Sequence, residues 1–171
     1  NCHVVNSRAN YVFGVQIAGA AEVTLEDTRI EASSIGADFN GILMFDSPTV
    51  TLSRVDISGT APGGGGGITP ASGGSNPTVT VKSSSIRATS TSDGVVRGIV
   101  AQNGSTWLIQ NSDIRATGGV FSCAVQQSES ASVKVGTSLL SGATANVSGT
   151  VTCYASYGGN YQGNANPQLC P

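Results

Sequence analysis

Residues 98–114 read GIVAQNGSTWLIQNSDI, and the spacings inside this stretch decide the fold. Gly98 precedes an aliphatic anchor, Ile99. Seven intervening residues lead to Trp107, one more to Ile109, and four more to Ile114. The same template fits Val15, Val23, Leu25 and Ile30, then Ile42, Val50, Leu52 and Ile57, and again Val125, Val133, Val135 and Leu140. A further copy, Ile68, Val79, Val81 and Ile86, carries three additional residues in the stretch 70–77. The last anchors (Ile30, Ile57, Ile86, Ile114, Leu140) lie 27, 29, 28 and 26 residues apart. Self-similarity at such a period marks a solenoid.

Each copy is built for strands. The segments EVTLE (Glu22–Glu26), TVTLS (Thr49–Ser53), TVTVK (Thr78–Lys82) and SVKVG (Ser132–Gly136) alternate with period two around β-branched residues. Ser, Asn, Asp, Thr and Gly separate them, as turns require. Three short strands per repeat describe one coil of a parallel β-helix, so equivalent anchors should stack ~4.8 Å apart in columns. The expected columns are Val15/Ile42/Ile68/Ile99/Val125, Val23/Val50/Val79/Trp107/Val133, Leu25/Leu52/Val81/Ile109/Val135 and Ile30/Ile57/Ile86/Ile114/Leu140. Stacking buries a continuous core that no single coil could build.

With WLIQNSDI (Trp107–Ile114) as its best local match, the chain resembles the right-handed parallel β-helix proteins. It is most similar to secreted or fibre-associated bacterial and phage members with loose Val-x-Val-x-Asn-Ser-x-Ile repeats. The resemblance implies an all-β, right-handed β-solenoid of about five to six coils over roughly residues 2–154. It implies little about activity, because lyases, hydrolases, adhesins and inert shafts share this coil.

Composition narrows the class. Charged residues make up 11% of the 171, Gly contributes 23, and the net charge is −2. Hydroxyl-rich, charge-poor faces suit an extracellular solenoid, and no basic footprint for nucleic acid is present. No apolar run is long enough for a membrane-spanning helix. Coils are expected over 1–153 and a cap or tail over 154–171. Cys2, Val4 and Ala9 fit the second, third and last anchors, as in a coil cut short by processing or left incomplete upstream. The alternative is a cap strand over residues 1–10.

Four cysteines in such a chain favour disulfides. Cys2 and Cys123 would sit about four coils apart, ~19 Å along the axis, beyond disulfide reach. Cys153–Cys170 would close a tail bearing Tyr154, Tyr157 and Tyr161, an end cap like the closing segment of the fibre-type proteins that the chain resembles. The rival pairing is Cys123–Cys153. With one histidine, His3, and no Cys-x-x-Cys, no metal site or cofactor is expected.

Chemistry is hard to find. Hydrolases of this fold need close Asp pairs, and lyases need carboxylate clusters for Ca²⁺ with a basic Lys or Arg. Here Asp27, Asp38, Asp46, Asp56, Asp93 and Asp113 are scattered, and Arg29–Glu31 (RIE) is the nearest approach to an Arg-Ile-Lys motif. Asp56 and Asp113 share a column with Ser85 between them. Arg87 and Arg115 share another on successive coils, with Arg97 in the loop between, and two stacked guanidiniums could clamp an anionic sugar or a neighbouring carboxylate. Trp107 either fills core or faces outward to stack on a sugar. Gly63–Gly67 reads as a flexible loop, and with 70–77 it marks the irregular coil where a ligand groove would be sought. Met44–Phe45 and Val120–Phe121 each offer a residue for a subunit contact. Asn103 and Asn146 head glycosylation sequons.

The expected function is therefore a non-catalytic extracellular structural or adhesive module, part of a fibre, filament or surface appendage, self-associating or engaging cell-surface glycan. The alternative is a polysaccharide-binding or polysaccharide-degrading domain of the tailspike or pectate-lyase kind. An ice-binding solenoid is disfavoured because no flat Thr-x-Thr ladder repeats at one column.

Overall fold

The computed structural model describes residues 2–8, 10–72, 75–154, 156–158, 163–164 and 168–169. It is an all-β parallel solenoid of about five turns, with no helix among the described residues. Strand β1 (Cys2–Arg8) precedes the first turn, β2 (Val12–Ile17), β3 (Glu22–Glu26) and β4 (Thr28–Ser34). The second turn is β5 (Asp38–Met44), β6 (Thr49–Ser53) and β7 (Asp56–Ala61), and the third is β8 (Gly64–Pro70), β9 (Thr78–Lys82) and β10 (Ser85–Ser90). Next come β11 (Val95–Ala101), β12 (Thr106–Gln110) and β13 (Asp113–Thr117), then β14 (Phe121–Gln127), β15 (Ser132–Gly136) and β16 (Leu139–Gly142). Strands β17 (Ala145–Ser148), β18 (Thr152–Tyr154) and β19 (Ser156–Gly158) carry parallel pairing past Cys153. The short β20 (Gly163–Asn164) and β21 (Gln168–Leu169) then pair antiparallel with β19 and β18.

Three sheets result. Sheet A joins β1-β4-β7-β10-β13-β16-β19-β20, sheet B joins β2-β5-β8-β11-β14-β17, and sheet C joins β3-β6-β9-β12-β15-β18-β21. All four expected columns form, residue for residue. Ile30, Ile42, Leu52, Ile57, Ile68, Ile86, Ile99, Ile109 and Ile114 are fully buried. Removing each such side chain from water contributes about 1.5–3 kcal/mol before entropy is counted.

The glycine or alanine ahead of each first anchor has a geometric cause. A Cβ on Gly14, Gly41, Gly67 or Gly98 would overlap Cγ2 of Ile30, Ile57, Ile86 or Ile114 across the interior. The fifth position is Ala124, and its turn ends on Leu140, which has no β-branch. Sheets A and B therefore approach too closely for a side chain wherever the facing anchor is isoleucine.

The first strand departs from expectation. Val4 lies over Ile30 and Cys2 over Thr28, so Val4 holds the last-anchor position and not the third. β1 pairs with β4 along all seven of its residues, in sheet A; Ala9 lies outside the described residues. The five-glycine run is also not a flexible loop, because Gly64–Gly67 lie within β8. Gly64 and Gly65 adopt φ of 112° and 133°, and a Cβ there would strike the backbones of Val95 and Phe39. Fully buried Phe39 projects over Gly59 and helps build a second small core with Val12, Ala32, Ala61, Ala88, Val96 and Ala116. The three additional residues of the third turn fall between β8 and β9, where Ser75 Oγ donates to the Asp46 carbonyl at 2.6 Å.

Between sheets C and A the chain turns at Asp27, Arg54, Ser83, Asn111 and Thr137, each with φ between 48° and 54°. This left-handed residue aims the next side chain inward, and Ser84, Ser112 and Ser138 stack there almost wholly buried. Ser112 Oγ donates to the Gln110 carbonyl at 2.7 Å and accepts the Ser84 N–H at 3.2 Å. Ser84 and Ser138 repeat both bonds, to Lys82 and Val55 and to Gly136 and Ser112. Ser112→Ala strands the buried Ser84 N–H, while the Gln110 carbonyl keeps the Ser83 N–H at 3.0 Å. It should cost about 1–3 kcal/mol in urea unfolding, with an unchanged circular dichroism spectrum.

Candidate functional site

The same bend produces a concavity on the described surface. One open groove of about 640 Å³ is lined by Arg54, Asp56, Ser83, Ser85, Asn111 and Asp113, among others. A second, of about 450 Å³, is lined by Cys2, His3, Asp27, Arg29, Arg54 and Asp56. The two are neighbours that share Arg54 and Asp56 as lining residues.

Their carboxylates are engaged. Arg54 grips Asp27 with Nε at 2.7 Å and Nη2 at 3.0 Å, and this hydrogen-bonded guanidinium holds the Asp27 carboxyl below its usual range. Arg87 Nη1 donates to Asp56 at 3.2 Å, and Arg115 Nε donates to both Asp113 oxygens at 2.8 and 3.0 Å. Arg29 Nε meets Glu31 at 2.7 Å, and His3 Nε2 reaches the same oxygen at 3.1 Å. Asp56 and Asp113 do flank Ser85 in register, two coils and ~10 Å apart. Each has its own arginine partner. Among the described residues, no group of three or more His, Cys, Asp or Glu side chains stands ready for a metal ion.

Arg87 and Arg115 are adjacent in register on sheet A. Arg97 does not join them. It is a residue of β11 in sheet B, beside Gly66 and Cys123, half-buried, with Nε lacking a hydrogen-bond partner. The expected loop between the arginines is strand, because β11 pairs in parallel with β8 on one side and β14 on the other. Trp107 is core, 1% exposed, its Nε1–H donating to Ser105 Oγ at 2.8 Å, so an outward sugar-stacking role falls. Met44 is fully buried and Phe121 half-buried, which leaves Phe45 (37% exposed) and Val120 (66%) as outward members of their pairs. Asn103 Nδ2, the glycosylation atom of its sequon, is buried.

Cysteine chemistry divides sharply. Cys2 is an exposed free thiol and Cys123 a buried one. The rival Cys123–Cys153 bond is therefore absent; its two residues stand on different sheets. Cys170 lies outside the described residues, so the Cys153–Cys170 bond does too, as do the side chains of Tyr157 and Tyr161. Burial pushes the Cys123 thiol up to about 11, against the opposing charge of Arg97. A thiol-specific chromogenic reagent at pH 8 should thus titrate Cys2 at once and reach Cys123 only in denaturant. Because the folded value exceeds the unfolded 9.0, the unfolded chain loses its proton first, and stability should fall as pH rises from about 9 to about 11.

Sequence reasoning missed an ordered hydroxyl array. On the outer face of sheet C, Thr49, Thr78 and Thr106 stack in one column, and Thr24, Thr51 and Thr80 stack in the next. The expectation that no Thr-x-Thr ladder repeats is overturned: Thr49-Val50-Thr51 lies on Thr78-Val79-Thr80. The signal was legible, since these threonines flank Val50 and Val79, anchors of one column.

Compared with protein-family models, with curated proteins and with solved structures, the chain matches none.

Proposed function

We propose that this chain is a non-catalytic extracellular structural or adhesive module, part of a fibre, filament or surface appendage of the right-handed β-helix kind. The observation that carries this reading is the state of the two grooves: Asp27, Asp56 and Asp113 are each held by an arginine. A solenoid of stacked turns supplies length and stiffness, and the charge-poor composition suits an extracellular setting. A C-terminal cap closed by Cys153–Cys170 belongs to the same proposal, since a β-helix end left open invites strand addition. Exposed Phe45 and Val120 are the side chains offered for self-association. Light scattering and electron microscopy of the purified chain should find oligomers or filaments that Val120→Lys and Phe45→Lys weaken. A strict monomer at high concentration would overturn the fibre reading.

One observation favours glycan binding as the second reading: the larger groove is open and lined by Ser83, Ser85, Asn111 and Thr137. Glycan-array binding that Asn111→Lys abolishes would establish it, and release of reducing ends from a polysaccharide would add catalysis.

A further inference from the structure

The outer face of sheet C carries two adjacent threonine columns, whereas sheet A stacks Thr60, Thr89 and Thr117 in one column beside charged residues. Strands β3, β6, β9, β12 and β15 are all five residues long and pair in unbroken register. Identical length and register make this face a two-dimensional lattice. Its repeat is ~4.8 Å between turns and ~6.6–6.8 Å between outward residues along a strand. Six lattice points are threonine: Thr24, Thr49, Thr51, Thr78, Thr80 and Thr106. Glu22 and Glu26 flank Thr24 at one end, Lys134 lies at the other and Lys82 follows Thr80 at the margin, leaving Thr49, Thr51, Thr78 and Thr106 as the uncharged centre of the block.

The threonine hydroxyls are not used internally. Thr24, Thr49, Thr78 and Thr106 are exposed and Thr51 and Thr80 half-buried, and none of the six makes a side-chain hydrogen bond to the protein. The contrast with Ser84, Ser112 and Ser138, which all bond within the bend, shows that hydroxyls here are not merely local caps. β-Branching restricts each threonine to few rotamers, so methyl and hydroxyl positions are set before any ligand arrives.

We propose that this threonine face binds ice. Hydroxyls would complete hydrogen bonds with lattice waters while methyl groups sit in the hollows between them. Both repeats of the face, ~4.8 Å and ~6.6–6.8 Å, are on the scale of one to two hydrogen-bonded water spacings, the scale on which a crystalline water surface repeats. A periodic ligand is indicated because the recognition elements are periodic and alike; a discrete ligand needs unlike groups converging on one point. A glycan is disfavoured at this face because Trp107, the aromatic residue of β12, points into the core. A protein partner is disfavoured because the sole large apolar side chain exposed within β3, β6, β9, β12 and β15 is Leu108, 36% exposed. The proposal stands apart from self-association and from the grooves, which lie on other surfaces.

The test is freezing-point hysteresis and ice-crystal faceting by the purified chain. A second readout is adsorption to a single-crystal ice hemisphere of protein labelled at Cys2, an exposed thiol on sheet A. Wild type should shape crystals and coat defined planes. Thr80→Lys and Thr78→Lys, each outward-facing, should weaken the activity about tenfold or more, because the ammonium must leave water to approach the lattice. Thr89→Lys, on the outer face of sheet A, should leave it intact. Circular dichroism shows which variants keep the fold, and either face variant suffices. Absence of hysteresis and of plane coating by folded wild type would overturn the proposal. So would activity that survives in a folded face variant, or that Thr89→Lys removes equally.

Discussion

Trp107→Ala should lower the unfolding free energy by about 3–5 kcal/mol, the cost of deleting a large buried aromatic from a core that cannot fully collapse. The indole stands in a column that otherwise holds Val23, Val50, Val79 and Val133. Backbone ladders to β9 and β15 hold β12 in place, so neighbouring turns cannot close the gap without breaking hydrogen bonds. Ser105 Oγ, wholly buried, would also lose the Nε1–H that it accepts. Against a typical total of about 5–15 kcal/mol, one substitution would remove a large share. Urea unfolding followed by circular dichroism measures it. A loss below about 1 kcal/mol would show that Trp107 does not fill the interior as described. Trp107→Phe, which keeps part of the volume, should recover part of the loss.

Gly67→Ala should destabilise by about 1–3 kcal/mol or more through overpacking, although it adds a single methyl group to a strand. That methyl would overlap Ile86 Cγ2 and come within 2.5 Å of the Gly98 carbonyl oxygen. The isoleucine is fully buried and the oxygen belongs to the next turn, so neither yields easily. Gly136→Ala is the matched control, because its Cβ would meet nothing nearer than Tyr154 O at 3.9 Å. It should be neutral or stabilise by up to about 1 kcal/mol by restricting the unfolded chain. The last turn suggests a rescue: Ala124 coexists with Leu140, so Gly67→Ala combined with Ile86→Leu should lose less than the sum of the two changes. Strict additivity in thermal or urea unfolding would sink the proposed Gly–Ile coupling.

The columns were legible because a solenoid writes its contacts into a period. When Val23, Val50, Val79, Trp107 and Val133 recur at equal offsets, stacking follows from chain geometry without knowledge of the turns. Val4 was misplaced because a strand before the first complete repeat has only its own alternation to set its register, and Cys2-x-Val4 fits two columns equally well. Gly63–Gly67 misled for a different reason. Glycine runs signal freedom when nothing surrounds them, and here Phe39 and the Val95 backbone occupy the space that side chains would need.

The site was less legible than the fold. Pairing Arg87 with Asp56 and Arg115 with Asp113 needs χ angles as well as register, so sequence spacing left both arginines available for a ligand. Arg97 stood near them in sequence and on another sheet in space. The threonine array was legible in the repeats, since the Val50/Val79 column already lays β6 on β9, and the structure added that its hydroxyls are left to solvent.

The sequence by itself determined the parallel solenoid, its four inner columns and its charge-poor faces, because periodic burial needs only periodic apolar residues. Tertiary structure alone decided which outward groups satisfy one another, which thiol is buried and which hydroxyls are left to solvent. Those outcomes depend on distances between separate turns, and a repeat sets turn order without setting what each outward side chain meets.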